Sequence, residues 1–461
     1  MADTSRLPRF GTDGVRGEAN TDLTPDVAVA LARAASEVLG SGPNNQVVIG
    51  RDTRQSGPML EAALVAGYTS CGVNIELLGE VPTPAVAWAA ADAACPGVMI
   101  SASHNPFADN GIKLFAGGGT KLDDETEAAI ESLMLALLGG TTSARSVAAN
   151  QVGGVSQSTG ALGWATSVEQ SIAGRTLDGV RVVLDCANGS ASRLGPDVFR
   201  ALGADVSVIG TEPNGVNIND RVGSTYPQEL QRVVAESGSD VGLAFDGDAD
   251  RLIAVDHSGA LVDGDHLLAI LAIDWKATGR LYQDTVVVTV MSNLGFKLAM
   301  GEAGVVVVET KVGDRYVLEE LNRGVNGRSF SLGGEQSGHV ICRDLASTGD
   351  GVLAGVQLLD TMRRTGSSLQ DLAGNAMTTF PQVLKNVRLP HQDPHISDLL
   401  TDVVVAAKAE LGDKGRVLVR PSGTEPLVRI MVEHLDAETA HRVCDELVAV
   451  ATERVGQLPK G

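Results

Sequence analysis

Cysteine is scarce in this sequence and poorly placed for cross-linking. The five in 461 residues (Cys71, Cys95, Cys186, Cys342 and Cys444) are odd in number, widely spaced and form no C-x-x-C pair. That excludes a disulfide framework and a structural zinc site, and points to a reducing cytoplasm. No apolar run approaches about 18 residues, and the start MADTSRLPRF has no apolar signal region, so no segment is expected to span or enter a membrane. Cations are outnumbered: 36 Lys and Arg against 57 Asp and Glu give a formal charge of −21, which would repel nucleic acid and anionic membrane over most of the surface. A phosphate-bearing ligand would therefore need a local basic pocket. Aromatic residues reach only 3 %, against 54 glycines and a hydrophobic fraction of 43 %, the balance of a soluble α/β protein whose strands turn into helices through tight glycine loops.

The length allows three or four domains with cores of ordinary size. Three stretches repeat one pattern: VVIGRDTRQSG…GYTSCGVNIELLG, VVLDCANGSAS…FRALGADVSVIG and VVVTVMSNLGF…AMGEAGVVVVET each read as buried strand, turn, helix, glycine and second strand. Near-continuous β-branched runs, such as residues 286–290 and 305–308, suit parallel strands covered on both faces, with the helix as crossover. Either three related α/β units stand in tandem, or ordinary βαβ units look alike by chance. In DDETEAAIESLMLALL, Ile130, Leu133, Met134, Leu137 and Leu138 fall at helical spacing with acids in the first turn, and Gly139-Gly140 ends the helix. The small, polar TTSARSVAANQVGGVSQSTG reads as a linker, so a first domain is set at residues 1–155. A strand ending near Val255 closes a second at 156–255, and a third runs over 256–374. The fourth, 375–461, abandons the repeat for a strand, a helix over 398–411, a strand, the loop RPSGTEP, a strand and a helix over 438–455. The expected fold class is α/β: three tandem related domains with mixed, mainly parallel sheets, then a C-terminal α+β domain.

DGDADR, residues 246–251, follows the apolar VGLAF and alternates Asp246, Asp248 and Asp250. In an extended loop that spacing turns three carboxylates to one point, a nest for a hard cation such as Mg²⁺, at the strand end where ligands gather in open α/β sheets. A solvated acidic turn or a calcium loop is the plainer alternative, although the glutamate that closes an EF-hand loop is missing. Three carboxylates on one ion need cations nearby, and Arg251, Arg16 and Lys113 are the candidates. RPSGTEPLVRI offers Arg420, Ser422, Gly423, Thr424 and Arg429, forked donors and amides able to wrap a phosphate dianion, or else an ordinary hairpin turned by Gly and Pro. GGEQSGH lacks the Lys-Ser/Thr of a Walker loop. Its Glu335 and Ser337 could read sugar hydroxyls or merely form a turn, and His339 stands between catalysis and a satisfied core position.

ISASHNPFADNGIKLF sets Ser103 beside His104, but no triad accompanies it: there is no G-x-S-x-G elbow, and the other histidines have no revealing context. A serine in a polar turn is the local reading. In a cleft with a metal loop and a phosphate loop it gains another, as carrier of a phosphoryl group whose oxygen completes the set begun by the three aspartates. His104 and Asn105 would fix that loop, and Lys113 would assist as acid or base if its pKa is lowered there.

Taken in order, FGTDGVRG, SASHNP with NGIK, DGDADR, GGEQSGH and RPSGTEP resemble the motifs of the α-D-phosphohexomutases, over the whole chain. The resemblance implies four domains around one central cleft, the fourth holding the non-transferred phosphate. It implies a phosphate carried on Ser103 rather than Ser101, one Mg²⁺ held by Ser103, Asp246, Asp248 and Asp250, and Arg16 and Lys113 near the phosphoryl group. FGTDGVRG and GGEQSGH are similar to the branch that interconverts glucosamine 6-phosphate and glucosamine 1-phosphate, supplying UDP-N-acetylglucosamine and cell-wall synthesis. Phosphomannomutase/phosphoglucomutase relatives, which typically carry GEMSGH, are the alternative within the family. The implied course runs from phosphoserine through a sugar 1,6-bisphosphate that turns around, then back to phosphoserine, and a hexose or hexosamine 1,6-bisphosphate would activate the enzyme. Arg251, Glu335, Ser337 and His339 are expected to bind substrate. TKVGDRYV departs from the phosphomannomutase form of a substrate loop, which leaves Lys311 and Arg315 without a firm role. The expected partner is a small sugar phosphate, not nucleic acid or membrane, with a homodimer left open. Two rivals stand: a metal-dependent phosphatase with Asp246 as nucleophile, and a sugar-phosphate sensor without turnover.

Overall fold

The computed structural model describes residues 9–11, 13–391, 393, 395–422 and 426–456. They form two compact bodies, the described residues within 9–291 with 304–376 and those within 292–303 with 377–456.

In the first body the repeat appears as three parallel strand pairs: Gln46–Arg51 with Asn74–Glu80, Arg181–Asp185 with Asp205–Ile209, and Thr285–Thr289 with Val306–Thr310. Helices Gly57–Ser70 and Ala191–Ala201 make the first two crossovers. Val286, Val287 and Val288 are 0 % exposed, which explains their unbroken apolar run: a strand covered on both faces has no solvent side to alternate with. Each of the three sheets is mixed. The seven-stranded sheet adds antiparallel Asp109–Phe115, Gly14–Glu18 and Phe10–Gly11 on one side. On its other edge it gains Val155–Gln157, parallel to Asn74–Glu80, so the linker-like stretch ends in a strand of this sheet. The five-stranded sheet continues past Val255 to Leu261–Val262, antiparallel to Leu252–Asp256. Leu332–Gly334 and Val340–Cys342 complete the four-stranded sheet.

Helix Asp124–Leu138 starts where Asp123 accepts from Thr126 N at 2.7 Å, with three acids in its first turn against the positive helix end. Its Ile130 and Met134 are fully buried, while Leu133, Leu137 and Leu138 are half-buried against the same core.

In the second body Leu427–His434 lies between Gln382–Arg388 and Gly415–Pro421, antiparallel to both. Val428, Ile430 and Val432, two residues apart, share a core with Val443 and Leu447 of helix Ala437–Gly456. The helix expected over 398–411 is divided into a 3₁₀ turn, Ile396–Leu400, and an α-helix, Thr401–Leu411. Helix Leu294–Glu302, by sequence the third crossover, belongs to this body. Leu294 N donates to Glu433 Oε2 at 3.0 Å and Asn293 Nδ2 to Phe380 O at 3.0 Å. Among the described residues no helix is long and apolar enough to cross a membrane.

Candidate active site

The serine loop leaves the carboxyl end of the buried strand Gly97–Ile100 and is held in a conformation that serine does not favour. Ser103 has φ +52°, a left-handed geometry that surrounding structure must enforce. Ser103 O accepts from Arg54 Nη2 at 3.2 Å and from Asn219 Nδ2 at 2.9 Å. Asn105 O accepts from the same two groups, at 2.6 and 3.1 Å. Ser103 N donates to Ser101 Oγ at 2.9 Å, which donates to Asp52 Oδ2 at 2.6 Å, and Asp52 is the ion-pair partner of Arg54. Gly247 presses on the loop from the other side; a Cβ there would stand 2.6 Å from Ser103 O. The Ser103 hydroxyl then has one strong partner, Asp246 Oδ2 at 2.5 Å, with His104 Nδ1 at 3.4 Å.

Asp246, Asp248 and Asp250 follow the fully buried strand Val241–Phe245, and one oxygen from each lies within 4.8 Å of the others. Their free valences fit a cation. Among the described residues Asp248 Oδ1 and Asp250 Oδ1 are buried without a hydrogen-bond partner, an unfavourable state for carboxylate oxygens that a hard ion would relieve. The remaining oxygens are engaged: Asp248 Oδ2 accepts from Thr83 Oγ1 at 2.6 Å and Lys113 Nζ at 2.7 Å, Asp250 Oδ2 from Lys113 at 3.2 Å, and Asp246 Oδ1 from Arg251 N at 3.2 Å. Burial, then Asp250 and Asp248, push the Asp246 carboxyl well above the usual range. For Asp250 burial acts in the same sense, but Lys113 and then His339 hold it well below.

The expected cations are present, each tied to an acid. Asp13 pairs with Arg16, with Lys113 at 2.8 Å and with Lys121 at 2.8 Å. Lys121 also pairs with Asp314, and Arg251 Nε lies 3.9 Å from Asp250. The condition set for Lys113 as a base is not met: burial alone would lower its pKa, but Asp13, Asp248 and Asp250 hold it well above its ordinary value. His104 is pushed down to about 4 by burial and by Arg251 and Arg16, so it is neutral near pH 7. His339 is buried, with Nε2 3.2 Å from Asp314 and Nδ1 3.7 Å from Asp250. Burial works against its proton, and Asp314 and Asp250 more than compensate, raising its pKa. Glu335 Oε1 accepts from Gly313 N at 3.0 Å, and Ser337 is exposed. Arg315 is taken up by Asp124, Glu127 and Glu319, and Lys311 lies 5.7 Å from the Tyr316 ring.

Several members of this constellation escaped the sequence reading. Asp52 and Arg54 lie in GRDTR, a charged run directly after a buried strand, which is the signal that could have found them. Asp13 and Asp314 sit inside FGTDGVRG and TKVGDRYV, motifs that were read for their basic residues. Lys121, Thr83 and Asn219 carry no local signal.

In the second body Arg420 and Arg429 stand opposite each other in register. Burial and then the neighbouring Arg429 lower the Arg420 pKa, as two like charges near one spot require. Ser422 is buried, its N donating to Leu427 O at 2.9 Å. Gly423 and Thr424 lie outside the described residues.

Comparison with known proteins matches this arrangement to one family. Sequence models described as phosphoglucomutase/phosphomannomutase alpha/beta/alpha domains I, II and III fit residues 8–137, 164–259 and 263–380, and that of the C-terminal domain fits 384–450. The chain is similar to the phosphoglucosamine mutase of Rhodococcus jostii (strain RHA1), 53 % identical over 444 residues, 95 % of this chain and 98 % of that protein. It is 52 % identical over 463 residues to the phosphoglucosamine mutase of Leifsonia xyli subsp. xyli (strain CTCB07), covering 97 % and 100 %. In fold it is similar to a phosphoglucomutase/phosphomannomutase family protein from Burkholderia thailandensis, with a TM-score of 0.78 at 23 % identity over 97 % and 98 % of the two chains. A further structural neighbour is Aspergillus fumigatus N-acetylphosphoglucosamine mutase in complex with GlcNAc-6P and magnesium, with a TM-score of 0.70 at 17 % identity over 99 % and 97 %.

Proposed function

The chain belongs to the phosphoglucomutase/phosphomannomutase family, and from that premise we propose that it interconverts glucosamine 6-phosphate and glucosamine 1-phosphate through a phosphorylated Ser103. The observation that carries this reading is the 2.5 Å approach of Ser103 Oγ to Asp246 Oδ2, beside two carboxylate oxygens with no hydrogen-bond partner among the described residues. The names of its close relatives support the amino-sugar substrate.

In the first transfer the bond from phosphorus to Ser103 Oγ breaks and one to O1 or O6 of the sugar phosphate forms. The sugar hydroxyl gives up its proton, and Ser103 Oγ ends protonated, able to donate to Asp246 Oδ2 as it does here. After the 1,6-bisphosphate turns around, the second transfer runs the same exchange backwards and restores phosphoserine. Charge sets the demands on the site. Two unit charges about 4 Å apart interact by about 4 kcal/mol at an effective dielectric constant of about 20. A phosphate dianion on Ser103 would face Asp246, Asp248 and Asp250, whose charge is only partly offset by Lys113, Arg16 and Arg251. Mg²⁺ held by the three aspartates and a phosphoserine oxygen would supply the missing positive charge and polarise the transferring phosphoryl group. Lys113, which keeps its proton, serves as a fixed cation, and His104 as a neutral neighbour of the hydroxyl. Arg251, Glu335, Ser337 and His339 bind the sugar, and Arg420, Ser422 and Arg429, with Gly423 and Thr424, bind a phosphate. A sugar 1,6-bisphosphate rephosphorylates Ser103 when the intermediate escapes. The five cysteines, all free and buried, support a reducing cytoplasm. Asp246 as nucleophile of a phosphatase is disfavoured, since both of its oxygens already accept hydrogen bonds.

Steady-state isomerisation of glucosamine 6-phosphate and glucose 6-phosphate tests the substrate. A kcat/KM at least about tenfold higher for the amino sugar is expected. Equal or reversed preference would move the chain to another branch of the family.

A further inference from the structure

We propose that a cavity lined by none of the catalytic residues, at the N-termini of helices Gly160–Gln170 and Ala191–Ala201, binds a phosphorylated, hydroxyl-rich small metabolite through Ser190 and Arg193. The cavity measures about 920 Å³, room for a sugar phosphate or larger. Both helices open into it at the end where the helix dipole favours an anion. Ser190 adds an independent sign. It occupies the N-cap position of Ala191–Ala201 without capping it, and its hydroxyl, in a residue 3 % exposed that lines the cavity, has no hydrogen-bond partner among the described residues.

The charges around the cavity leave one cation unspent. Arg51 is taken by Glu80 at 2.7 Å and Glu61 at 3.4 Å, and Asp197 by Arg200 at 3.6 Å. Arg193 lines the cavity with no ion pair among the described residues. Thr159, Thr211 and Gln157 line it as well, polar groups suited to hydroxyls. The loop that heads Ala191–Ala201 also rests on the aspartate loop. Ser190 N donates to Gly247 O at 2.8 Å, and a Cβ on Gly189 would stand 2.4 Å from the same oxygen. Thr53, beside Arg54, donates to Asn188 O at 2.6 Å. A ligand here would therefore touch the backbone that carries both the aspartates and the serine clamp. The inference goes beyond the catalytic reading and stands without it.

Titration of the isotope-labelled full chain with ribose 5-phosphate and with inorganic phosphate, followed by the backbone amide spectrum, tests it. Saturable shifts of Ser190, Ser192 and Arg193 are expected, with ribose 5-phosphate binding more tightly than phosphate. Arg193→Ala should weaken that binding by about tenfold and leave mutase activity unchanged, and Ser190→Ala should weaken it in the same sense. The proposal is overturned by no shift at these amides, by shifts confined to residues 333–339 or 426–429, or by full affinity in Arg193→Ala. Equal affinity for the two probes would mean an adventitious ion only, and would overturn it too.

Discussion

Removing the Arg54 side chain should cost this protein both stability and turnover, for separable reasons. Arg54 is 1 % exposed, pairs with the equally buried Asp52, and gives hydrogen bonds to Ser103 O and Asn105 O. Burial pushes the Asp52 carboxyl up, and Arg54 is the largest force opposing it. In Arg54→Ala that carboxylate would be left buried without its counter-ion, a loss of about 3–5 kcal/mol. Among the described residues the two carbonyls would keep only Asn219, and the left-handed Ser103, whose conformation costs on the order of 1–3 kcal/mol, would lose half of its clamp. A displacement of about 1 Å at a reacting atom is worth about 100-fold in rate. Denaturant unfolding and steady-state mutase kinetics on Arg54→Ala and Arg54→Lys separate the two effects. Lysine retains the charge beside Asp52 but not the planar fork, so it should recover most of the stability and little of the kcat. A destabilisation below about 1 kcal/mol in Arg54→Ala, or full kcat in Arg54→Lys, would refute the clamp.

Gly247→Ala should behave as a steric counterpart, since the new Cβ would stand 2.6 Å from Ser103 O and 2.8 Å from Ile218 Cδ1. A loss of about 1–3 kcal/mol by thermal unfolding, with a fall in kcat, is expected, and wild-type kinetics would count against the packing described. Burial pushes the Asp350 carboxyl up from 3.8 to about 6, despite hydrogen bonds from Leu353 N at 2.9 Å and Trp164 Nε1 at 2.8 Å. The folded state thus binds this proton more tightly than the unfolded chain, so Asp350's contribution to stability declines as pH rises from about 4 through about 6, and the decline is complete above that. A Trp164 fluorescence titration should have its midpoint near 6 and lose it in Asp350→Asn; a midpoint below about 4 would contradict the direction of the shift. Arg420→Ala should raise the KM for glucosamine 6-phosphate by about tenfold with little change in kcat, and an unchanged KM would remove Arg420 from phosphate binding.

What could be read from the sequence was what lies close together along it. Asp246, Asp248 and Asp250 share one loop, and the β-branched runs of the repeat mark strands because burial on both faces removes alternation. The serine clamp is different in kind. Asn219 lies 116 residues from Ser103 and Arg54 lies 49 away, so only the packing of two sheets makes them neighbours. The direction of the Lys113 shift could not be read from NGIK, because Asp13, which helps hold its proton, sits 100 residues earlier. The stretch before Val155 looks like a linker, yet Val155–Gln157 joins a sheet, since an edge strand needs only backbone donors and acceptors and leaves little trace in composition. The helix Leu294–Glu302 likewise follows the repeat in sequence while its capping contacts, to Glu433 and Phe380, lie in the C-terminal segment.

The most direct test is to incubate the Mg²⁺-loaded protein with phosphate-labelled glucose 1,6-bisphosphate and map the labelled peptide. Acid-stable phosphate on Ser103 is expected, with neither label nor turnover in Ser103→Ala. An acid-labile acyl phosphate on Asp246, or normal turnover in Ser103→Ala, would contradict a phosphoryl group carried by the serine.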